Sequence, residues 1–309
     1  MRALLVVNHK ATTTSGRVRD VLVQALRSQV DLRVVHTERR GHAAALAEQA
    51  AVDGLDVVVA LGGDGTVNEV VNGLLARGAR PEGPALAVVP GGSTNVFARA
   101  VGLPPDWVEA TGVLLEALRA NRFRSIGLGR ADDRYFTFFA GLGLDAEVIS
   151  RVEHARHKGD TSSPWLYSRA LIAQYTLSTD KRRPRIILEQ PGERPDSRLA
   201  TVIVQNTSPS TFIGAKRIDA CPDASFDTGL DLIALRDLSP VATSRFIFQL
   251  LVPTGHRGPT GKHVLSRHDL SEFTLRASVP VAFQVDGEYL GSRQKVQFTS
   301  VPNALRVFC

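Results

Sequence analysis

The first third of the chain alternates between short apolar runs and stretches in which apolar residues return every three or four positions. The apolar runs predict buried strands, and the stretches between them predict helices with one apolar face. The four predicted strands are residues 4–7, 32–35, 57–61 and 86–89. This strand–helix alternation predicts a doubly wound parallel sheet, which binds its ligands at the carboxyl ends of the strands.

The pattern changes after residue 122. Short strand-like runs separated by turn residues predict an antiparallel, β-rich domain, interrupted by two helical stretches at residues 165–179 and 240–251. The 309 residues also exceed the length of one typical domain. We therefore predict an α/β parallel-sheet domain over residues 1–122 and a β-rich domain over residues 123–291.

The composition favours a globular protein of a reducing compartment. Hydrophobic residues make up 43 % and charged residues 22 % of the chain, as in ordinary soluble domains. The two cysteines, Cys221 and Cys309, form no CxxC pattern, which favours the cytoplasm and disfavours a zinc site. No apolar run approaches the roughly 20 residues that a membrane-spanning helix needs.

The net charge of +6 suits partners that carry phosphate, such as phosphorylated substrates, anionic lipid or nucleic acid. The excess of arginine over lysine also fits a GC-rich genome, so the charge has two explanations. The sequence contains no RNP-like aromatic motif and no helix-turn-helix pattern, and nucleic acid is therefore disfavoured.

A glycine-rich turn, Gly62-Gly63-Asp64-Gly65-Thr66, follows the third predicted strand. Glycines have no Cβ to hold a ligand away from the main chain, and the following helix directs its N–H groups and positive dipole end to the same place. This arrangement suits a phosphate group. The alternative is structural, since Thr66 and Glu69 fit a capping box and the glycines then only turn the chain.

A second glycine-rich turn follows the fourth predicted strand and contains Gly91, Gly92, Ser93, Thr94 and Asn95. Its hydroxyl and amide groups suit phosphate or ribose oxygens, and the alternative is that one of its last three residues caps the next helix. Because the two turns follow neighbouring strands, they converge on one crevice, which favours a nucleotide.

Two acidic turns in the β-rich half are candidates for chemistry. Asp286 and Glu288 flank Gly287 after a predicted strand, and they suit a general base beside a nucleotide or a plain Asp-Gly hairpin turn. Asp227 and Asp231 lie on either side of Gly229, and they suit a hard cation or a strand-entry turn.

Other motifs are weaker. Residues 255–263 resemble a Walker A loop, but the spacer is one residue too long and His263 replaces the hydroxyl residue. Residues 141–146 fit a loose dinucleotide fingerprint without the expected βαβ continuation. Basic residues at 151–158 and 181–185 flank a helical stretch that begins at Trp165, which suits an anionic membrane surface or simple packing on the domain.

Taken in order, these motifs resemble the diacylglycerol kinase catalytic family, especially the soluble bacterial lipid kinases. Residues 62–69 match its central motif, residues 37–43 and 90–99 resemble the segments on either side, and residues 141–146 resemble the opening of its second domain. The resemblance implies ATP as phosphate donor and a set of nucleotide-binding residues: Asn8, Lys10, Thr37, Gly62, Gly63, Asp64, Gly65, Thr66, Glu69, Ser93, Thr94 and Asn95.

The resemblance also implies roles in the second half. Asp286 and Glu288, together with Asp64, are the implied catalytic residues, and either of the first two is the base. A structural Mg²⁺ is implied at Asp227, Ser225 and Leu230, although Thr228 stands where the family often has a second aspartate. The C-terminal tail, residues 292–309, is expected to rejoin the first domain.

The implied function is that of an ATP-dependent, Mg²⁺-using lipid kinase that transfers the γ-phosphate to the hydroxyl of diacylglycerol or a related lipid alcohol. Such a protein is expected to be cytoplasmic and peripherally associated with a membrane that holds its substrate. Its oligomeric state, a homodimer included, stays open. The alternatives are an NAD kinase, which carries related glycine–aspartate turns and phosphorylates a soluble dinucleotide, and a non-catalytic lipid or nucleotide sensor.

Overall fold

The computed structural model describes residues 1–8, 16–80, 82–157, 164–177, 185–252 and 258–309. The chain divides into two compact units. Unit 1 comprises Met1–Leu128 and Pro302–Cys309, and unit 2 comprises Gly129–Val301. No helix among these described ranges is both long and apolar enough to cross a membrane.

Unit 1 contains a parallel sheet with the strand order β2-β1-β3-β4. Its strands are β1 (Arg2–Val7), β2 (Asp31–His36), β3 (Val57–Gly62) and β4 (Ala85–Pro90). Its helices are α1 (Gly16–Arg27), α2 (His42–Val52), α3 (Asp64–Leu74), α4 (Val96–Ala100) and α5 (Trp107–Arg119). This is the predicted doubly wound arrangement, and the fold class is confirmed.

The central strands of unit 1 are buried along their whole length. Every residue of β3 and β4 is buried, because helices on both faces of a parallel sheet leave neither face to solvent. Leu61 and Val89 pack in one core cluster with Leu22 of α1 and Leu114 of α5. The apolar strands thus hold the two glycine-rich turns at a rigid sheet edge.

Unit 2 is mostly antiparallel, with the order β14-β13-β10-β7-β15 and with β8 and β16 paired to β15. Its shorter strands are β5 (Phe123–Ala131), β6 (Arg134–Phe136), β7 (Phe139–Leu142), β8 (Ile186–Glu189), β9 (Asp196–Leu199), β10 (Thr201–Gln205), β11 (Thr211–Ile213), β12 (Lys216–Ile218) and β13 (Leu230–Leu235). The others are β14 (Val264–Leu270), β15 (Glu272–Val285) and β16 (Glu288–Phe308), and the helices are α6 (Leu144–His157), α7 (Pro164–Leu177) and α8 (Pro240–Leu251).

The units divide at other residues than the sequence suggests. The predicted limits were residues 122 and 291, whereas the chain passes from unit 1 to unit 2 at Leu128 and returns at Pro302. The physical reason is that β5 and β16 each contribute residues to both units. Each strand continues through the division, so the change of unit does not coincide with the end of a strand or helix. The last residues pair with unit 1, with Val307 beside Leu86 of β4.

Candidate active site

The two glycine-rich turns of unit 1 touch each other directly. Gly62 and Pro90 are paired neighbours at the ends of β3 and β4, and the Gly91 N–H donates to the Gly62 carbonyl at 2.8 Å. A Cβ atom on Gly92 would lie 2.7 Å from the Cα of Gly63. The contact excludes a Cβ at Gly92, and a Cβ on Gly63 would lie a tight 3.2 Å from the Gly92 Cα.

The three glycines of the first turn lie in different surroundings. A Cβ on Gly62 would lie 2.6 Å from the Thr66 hydroxyl oxygen, and Gly63 is held by the contact with Gly92. A Cβ on Gly65 would meet nothing within 4 Å. Gly65 therefore borders open space, whereas a Cβ on Gly62 or Gly63 would meet protein atoms, and the interpretation that these glycines expose main chain to a ligand stays a prediction.

That open space lies at the first turn of α3, which begins at Asp64 and has Gly63 as its N-cap. The cap residue contributes no side-chain hydrogen bond. A helix N-terminus carries a positive partial charge and presents main-chain N–H groups. The site therefore meets the requirements for binding a phosphate group.

The Asp64 side chain caps a different helix. Its two carboxylate oxygens each accept one main-chain bond at 3.0 Å, from the N–H groups of Val96 and Phe97 at the start of α4. The Asn95 side chain instead bonds the Gly92 N–H at 2.9 Å and the Gly92 carbonyl at 2.8 Å. Asn95 thus holds the N-cap position of α4, as one of the alternatives predicted, but its side chain makes no capping bond, and Asp64 of the neighbouring turn bonds the first N–H groups of the helix.

The capping box proposed for α3 is wrong. The Thr66 hydroxyl accepts a bond of 2.9 Å from the Asn8 side-chain amide at the end of β1. The Glu69 carboxylate accepts bonds from the N–H groups of Gly41 at 2.9 Å and Ala43 at 3.2 Å, at the start of α2. Both side chains thus tie α3 to other loops at the same sheet edge.

The structure gathers most of the predicted nucleotide-binding residues at this edge. Thr37 follows β2, and its N–H donates to the Val7 carbonyl at 2.9 Å. Ser93 is exposed in the turn after β4. Lys10 lies outside the described residues. A nucleotide-binding role for each of these residues stays a prediction.

In unit 2, Asp286 and Gly287 form the hairpin turn between β15 and β16. Both residues have positive φ, 47° and 77°, and Val285 pairs with Glu288 across the turn. Two residues of positive φ between paired strands are typical of a type I′ turn, for which Asp-Gly is a preferred sequence. The hairpin interpretation of this motif is therefore correct, and it leaves the chemistry of the two carboxylates open.

The Asp286 carboxylate is buried, with 6 % of the residue exposed, and it accepts four hydrogen bonds. One oxygen accepts from the N–H and hydroxyl of Thr137 at 2.7 and 2.8 Å. The other accepts from the N–H groups of Phe138 and Phe139 at 3.0 and 3.2 Å. Because a carboxylate offers about four acceptor sites, these donors fill its capacity and anchor the turn.

Glu288 differs in its surroundings. One of its oxygens accepts a bond of 2.9 Å from the Arg134 guanidinium, and 18 % of its side chain is exposed. Of these two acidic side chains, Glu288 is therefore the one that is more exposed to solvent.

A buried hydrogen-bond chain supports the same turn. The Gly287 N–H donates to the Gln284 side-chain oxygen at 3.0 Å, and the Gln284 amide donates to the Asp145 carboxylate at 2.8 Å. Burial raises the pKa of Asp145 to about 6, partly offset by the hydrogen bond from Gln284. A Cβ on Gly141 would clash with both side chains, so the glycine of the apparent dinucleotide fingerprint makes room for this chain.

Sequence reasoning did not identify Gln284, Asp145 or Thr137 as part of the site. One signal was present, since Gln284 interrupts the apolar run of residues 281–285. A polar residue at a core position of a strand predicts a buried hydrogen bond, although the partner cannot be read from the pattern.

Comparison with known proteins bears on both units. Residues 2–131 match the family model of the diacylglycerol kinase catalytic domain. The resemblance to that family is confirmed. Proteins named diacylglycerol kinase from several Staphylococcus aureus strains, including JH9 and Newman, are 26 % identical over 290 residues, covering 94 % of this chain and 85 % of theirs.

Solved structures show the same fold. A structure described as a putative diacylglycerol kinase from Bacillus anthracis has a TM-score of 0.75 at 19 % identity, covering 99 % of this chain and 96 % of that one. Another Bacillus anthracis structure, described as a diacylglycerol kinase, has a TM-score of 0.74 at 21 % identity with the same coverage. The diacylglycerol kinase fold therefore extends over both units.

The acidic turn before β13 is closed by its own hydrogen bonds. The Ser225 hydroxyl accepts from the Asp227 N–H at 3.2 Å, and the Ser225 carbonyl accepts from the Thr228 hydroxyl at 3.1 Å. Leu230 begins β13 and pairs with Leu270. The strand-entry interpretation thus describes this turn, and a Mg²⁺ held by Asp227, Ser225 and Leu230 stays a prediction.

Asp231 lies inside β13 rather than in the turn. Burial raises its pKa, partly offset by the Asp269 N–H and by His268, whose Nδ1 lies 2.7 Å from the Asp231 carboxylate. Within the described ranges, no group of three or more His, Cys, Asp or Glu side chains is arranged to hold a metal ion. The Asp231 and His268 side chains are instead bonded to each other.

The other predicted surface and motif lie largely outside the described residues. Residues 151–157 of the first basic stretch belong to α6. The structure does not describe residues 158–163, residues 178–184, the Trp165 side chain, or residues 253–257 of the Walker-like segment. In α7, Leu166 and Ala170 are buried in a core cluster with Val148 and Val152 of α6. These described contacts are those of a helix packed on its own unit.

A cavity of about 860 Å³ lies at the other edge of the unit 1 sheet. Its lining includes Met1, Asp56 and Ala85, which stand at the starts of β1, β3 and β4. Parallel sheets of this class bind ligands at the carboxyl ends of their strands. This cavity is therefore not the candidate nucleotide site of the kinase fold.

The Gly92→Ala variant should lose stability by about 1–3 kcal/mol, because its Cβ would force apart two backbone segments that cannot yield cheaply. Its affinity for ATP should fall as the turns separate. Gly65→Ala is the matched control: its Cβ meets nothing within 4 Å, so the free energy of unfolding should not fall. Urea denaturation and ATP titration measure both effects. A Gly92→Ala protein of unchanged stability would contradict the proposed contact.

The Asp145→Asn variant should become more stable than the parent as the pH rises. The pKa of Asp145 is raised to about 6, so its favourable contribution is complete below its unfolded pKa of about 4 and is lost as the pH passes the folded value. Asparagine does not ionise, and its advantage should grow between about pH 4 and 7 to roughly 1–3 kcal/mol. Urea denaturation across this range measures it.

Asp237→Asn is a control of opposite sign. Hydrogen bonds from Ser239 lower the pKa of the Asp237 carboxylate, so its contribution to stability is present above the unfolded pKa and is lost in acid. This variant should therefore become less stable than the parent as the pH rises. The assignment of a raised pKa to Asp145 fails if both variants respond to pH in the same direction.

Proposed function

We propose that this protein is an ATP-dependent lipid kinase that transfers the γ-phosphate to the hydroxyl of diacylglycerol or a related lipid alcohol. The observation that carries the proposal is the contact between the Gly63 and Gly92 turns at the start of α3, within residues 2–131 that match the diacylglycerol kinase catalytic domain. The relatives named diacylglycerol kinase support the choice of a lipid acceptor.

The nucleotide phosphates are assigned to the open space beside Gly65. The positive end of α3 and its main-chain N–H groups would offset their negative charge there. The Asn8–Thr66 bond and the bonds of Glu69 to the α2 start hold this helix end in place. Such preorganised donors are what phosphoryl transfer chiefly requires of a protein.

We assign Mg²⁺ to the same place, where it would bind together with the nucleotide phosphates. At kinase sites this ion commonly uses one or two carboxylates together with substrate phosphates and water, so the absence of a three-residue cluster among the described side chains does not argue against it. Asp64, in the first turn of α3, is the carboxylate that we assign to it. When bound, the ion would offset charge on the phosphate oxygens.

The acceptor chemistry is assigned to Glu288. Its ionised carboxylate would take the proton from the lipid hydroxyl while the hydroxyl oxygen forms a bond to the γ-phosphorus. The bond between the γ-phosphorus and the β–γ bridging oxygen breaks, and ADP leaves. Asp286 is assigned a positioning role, because four donors already occupy its carboxylate.

The test is phosphate transfer from radiolabelled ATP to a panel of acceptors in mixed micelles: diacylglycerol, a sphingoid base, ceramide and, in the aqueous phase, NAD. We expect label in a lipid fraction, with diacylglycerol as the first choice. Label in NAD and in no lipid would assign the protein to the NAD kinases. Binding of ATP without transfer to any acceptor would favour a sensor.

A further inference from the structure

Helix α8 of unit 2 exposes an apolar stripe to solvent. Val241 is 80 % exposed and Phe248 is 60 % exposed, and Leu251 and Val252 are also exposed. Residues separated by three, four and seven positions lie on one face of a helix, so Val241, Phe248 and Leu251 are on the same side. Large exposed apolar surface of this kind marks a binding surface more often than a free one.

The opposite side of α8 already has its partners. Phe246 is buried in a core cluster with Leu235, Leu238 and Cys221, and Ala242 and Thr243 are buried as well. The stripe is therefore not needed to hold the helix on unit 2. Its apolar residues are available to a partner outside the chain.

Cations border the stripe. Arg245 is exposed on the same face, between Val241 and Phe248. The Lys216 ammonium group, from the β11–β12 hairpin, donates to the Leu251 carbonyl at the end of the helix. Lys262 is exposed beside Gly261, a glycine whose Cβ would lie 3.5 Å from the Arg245 guanidinium. Residues 240–251 include no aspartate or glutamate.

We propose that the apolar α8 stripe, formed by Val241, Phe248 and Leu251, is the surface by which this protein, with Arg245 beside the stripe, docks on an anionic lipid bilayer. The apolar side chains enter the boundary between headgroups and acyl chains, and the cations meet the phosphate groups. This inference rests on the proposed lipid kinase function, because an enzyme with a bilayer-held acceptor needs such a surface. It assigns the role to α8 rather than to α7.

The described part of α7 supports that choice. Its exposed residues are Arg169, Ile172 and Thr176, of which Ile172 is apolar. Because Ile172 is 62 % exposed, slightly more than Phe248 at 60 %, it provides a matched control position on α7. A charge placed there adds the same polarity without touching the α8 stripe.

The experiment compares the parent with Val241→Glu/Phe248→Glu and with Ile172→Glu in cosedimentation with vesicles of phosphatidylcholine, with and without phosphatidylglycerol. We expect the parent to bind the anionic vesicles. The α8 double variant should bind at least about tenfold more weakly, because it lacks two apolar side chains that would be buried in the bilayer. Ile172→Glu should bind like the parent. Arg245→Gln should lose about fivefold, and only with phosphatidylglycerol present.

Activity assays separate docking from catalysis. The α8 double variant should phosphorylate a monomeric short-chain diacylglycerol as fast as the parent and a vesicle-borne long-chain diacylglycerol more slowly. If neither acceptor is phosphorylated by any form, the proposed function fails while sedimentation still decides the role of α8. Thermal unfolding shows whether the variants are folded. If the double variant is not folded, the single variant Phe248→Glu takes its place.

Three results would overturn the inference. The first is a parent protein that does not sediment with anionic vesicles. The second is equal binding by the parent and the α8 variant. The third, measured by light scattering, is an α8 variant that turns a dimeric parent into a monomer without changing vesicle binding, which would make the stripe a contact between two copies of the chain.

Discussion

The Asp286→Asn variant should lower the free energy of unfolding by about 2–4 kcal/mol. The carboxylate accepts four hydrogen bonds from residues 137–139 in a buried position. An asparagine amide can accept with its oxygen only, so its NH₂ group faces at least one main-chain N–H that loses its acceptor. A buried donor left unsatisfied costs about 1–3 kcal/mol, and the loss of a charged acceptor adds to it.

Asp132→Asn is the matched control in the same unit. Asp132 also has positive φ, 53°, and its side chain accepts a bond of 2.9 Å from the Gln297 N–H in an exposed turn. Asparagine tolerates this backbone conformation as aspartate does, so the cost should stay below about 1 kcal/mol. Chemical denaturation measures both variants. Equal losses would show that the four-donor contact does not anchor the turn.

The parts of the fold that follow from local pattern could be predicted from the sequence. The apolar runs of β3 and β4, each followed by glycines and a helix, identify the parallel sheet and its ligand-binding edge, because period and turn chemistry are local properties. The same holds for the Asp286-Gly287 hairpin, where positive φ at two successive residues demands these residue types.

The contacts that assemble the site could not be predicted in the same way. Asp64 caps α4 from 32 positions away, and Gln284 reaches Asp145 across 139 positions. Local pattern contains no information about which loops become neighbours. Thr66 and Glu69 are an example of a wrong prediction from local spacing. Their spacing matches a capping box, but their side chains bond to Asn8 and to the start of α2.

The glycine-rich turn shows that one pattern can have two causes. The sequence predicts a phosphate site from glycines that lack side chains, but a Cβ on Gly62 would clash with Thr66, and Gly63 packs closely against Gly92. The two causes are connected, since close packing of the turns is what brings two loop ends and the α3 N-terminus to one place. Packing of the two turns therefore shapes the candidate site, and the space beside Gly65 stays open.

The Glu288→Gln variant should reduce kcat for phosphate transfer to the lipid by about 10²- to 10⁴-fold, the usual contribution of a general base. The KM for ATP should change little, because the assigned phosphate site is in unit 1 and Glu288 contacts Arg134 of unit 2. Stability should fall by no more than about 1 kcal/mol, since the ion pair is partly exposed. Steady-state kinetics with the preferred lipid acceptor and urea denaturation measure these quantities.

Glu189→Gln is the control for Glu288, because Glu189 pairs with Arg276 at 3.1 Å in the same unit and lies outside the Asp-Gly turn. It should keep full activity. Together with Asp286→Asn, these variants distinguish the roles of the two carboxylates. Loss of the proton acceptor, Glu288, should slow the chemical step at nearly constant stability. Loss of the anchor, Asp286, should lower stability and disorder the turn that carries the acceptor. An active Glu288→Gln protein beside a stable, inactive Asp286→Asn protein would make Asp286 the base and reverse our assignment.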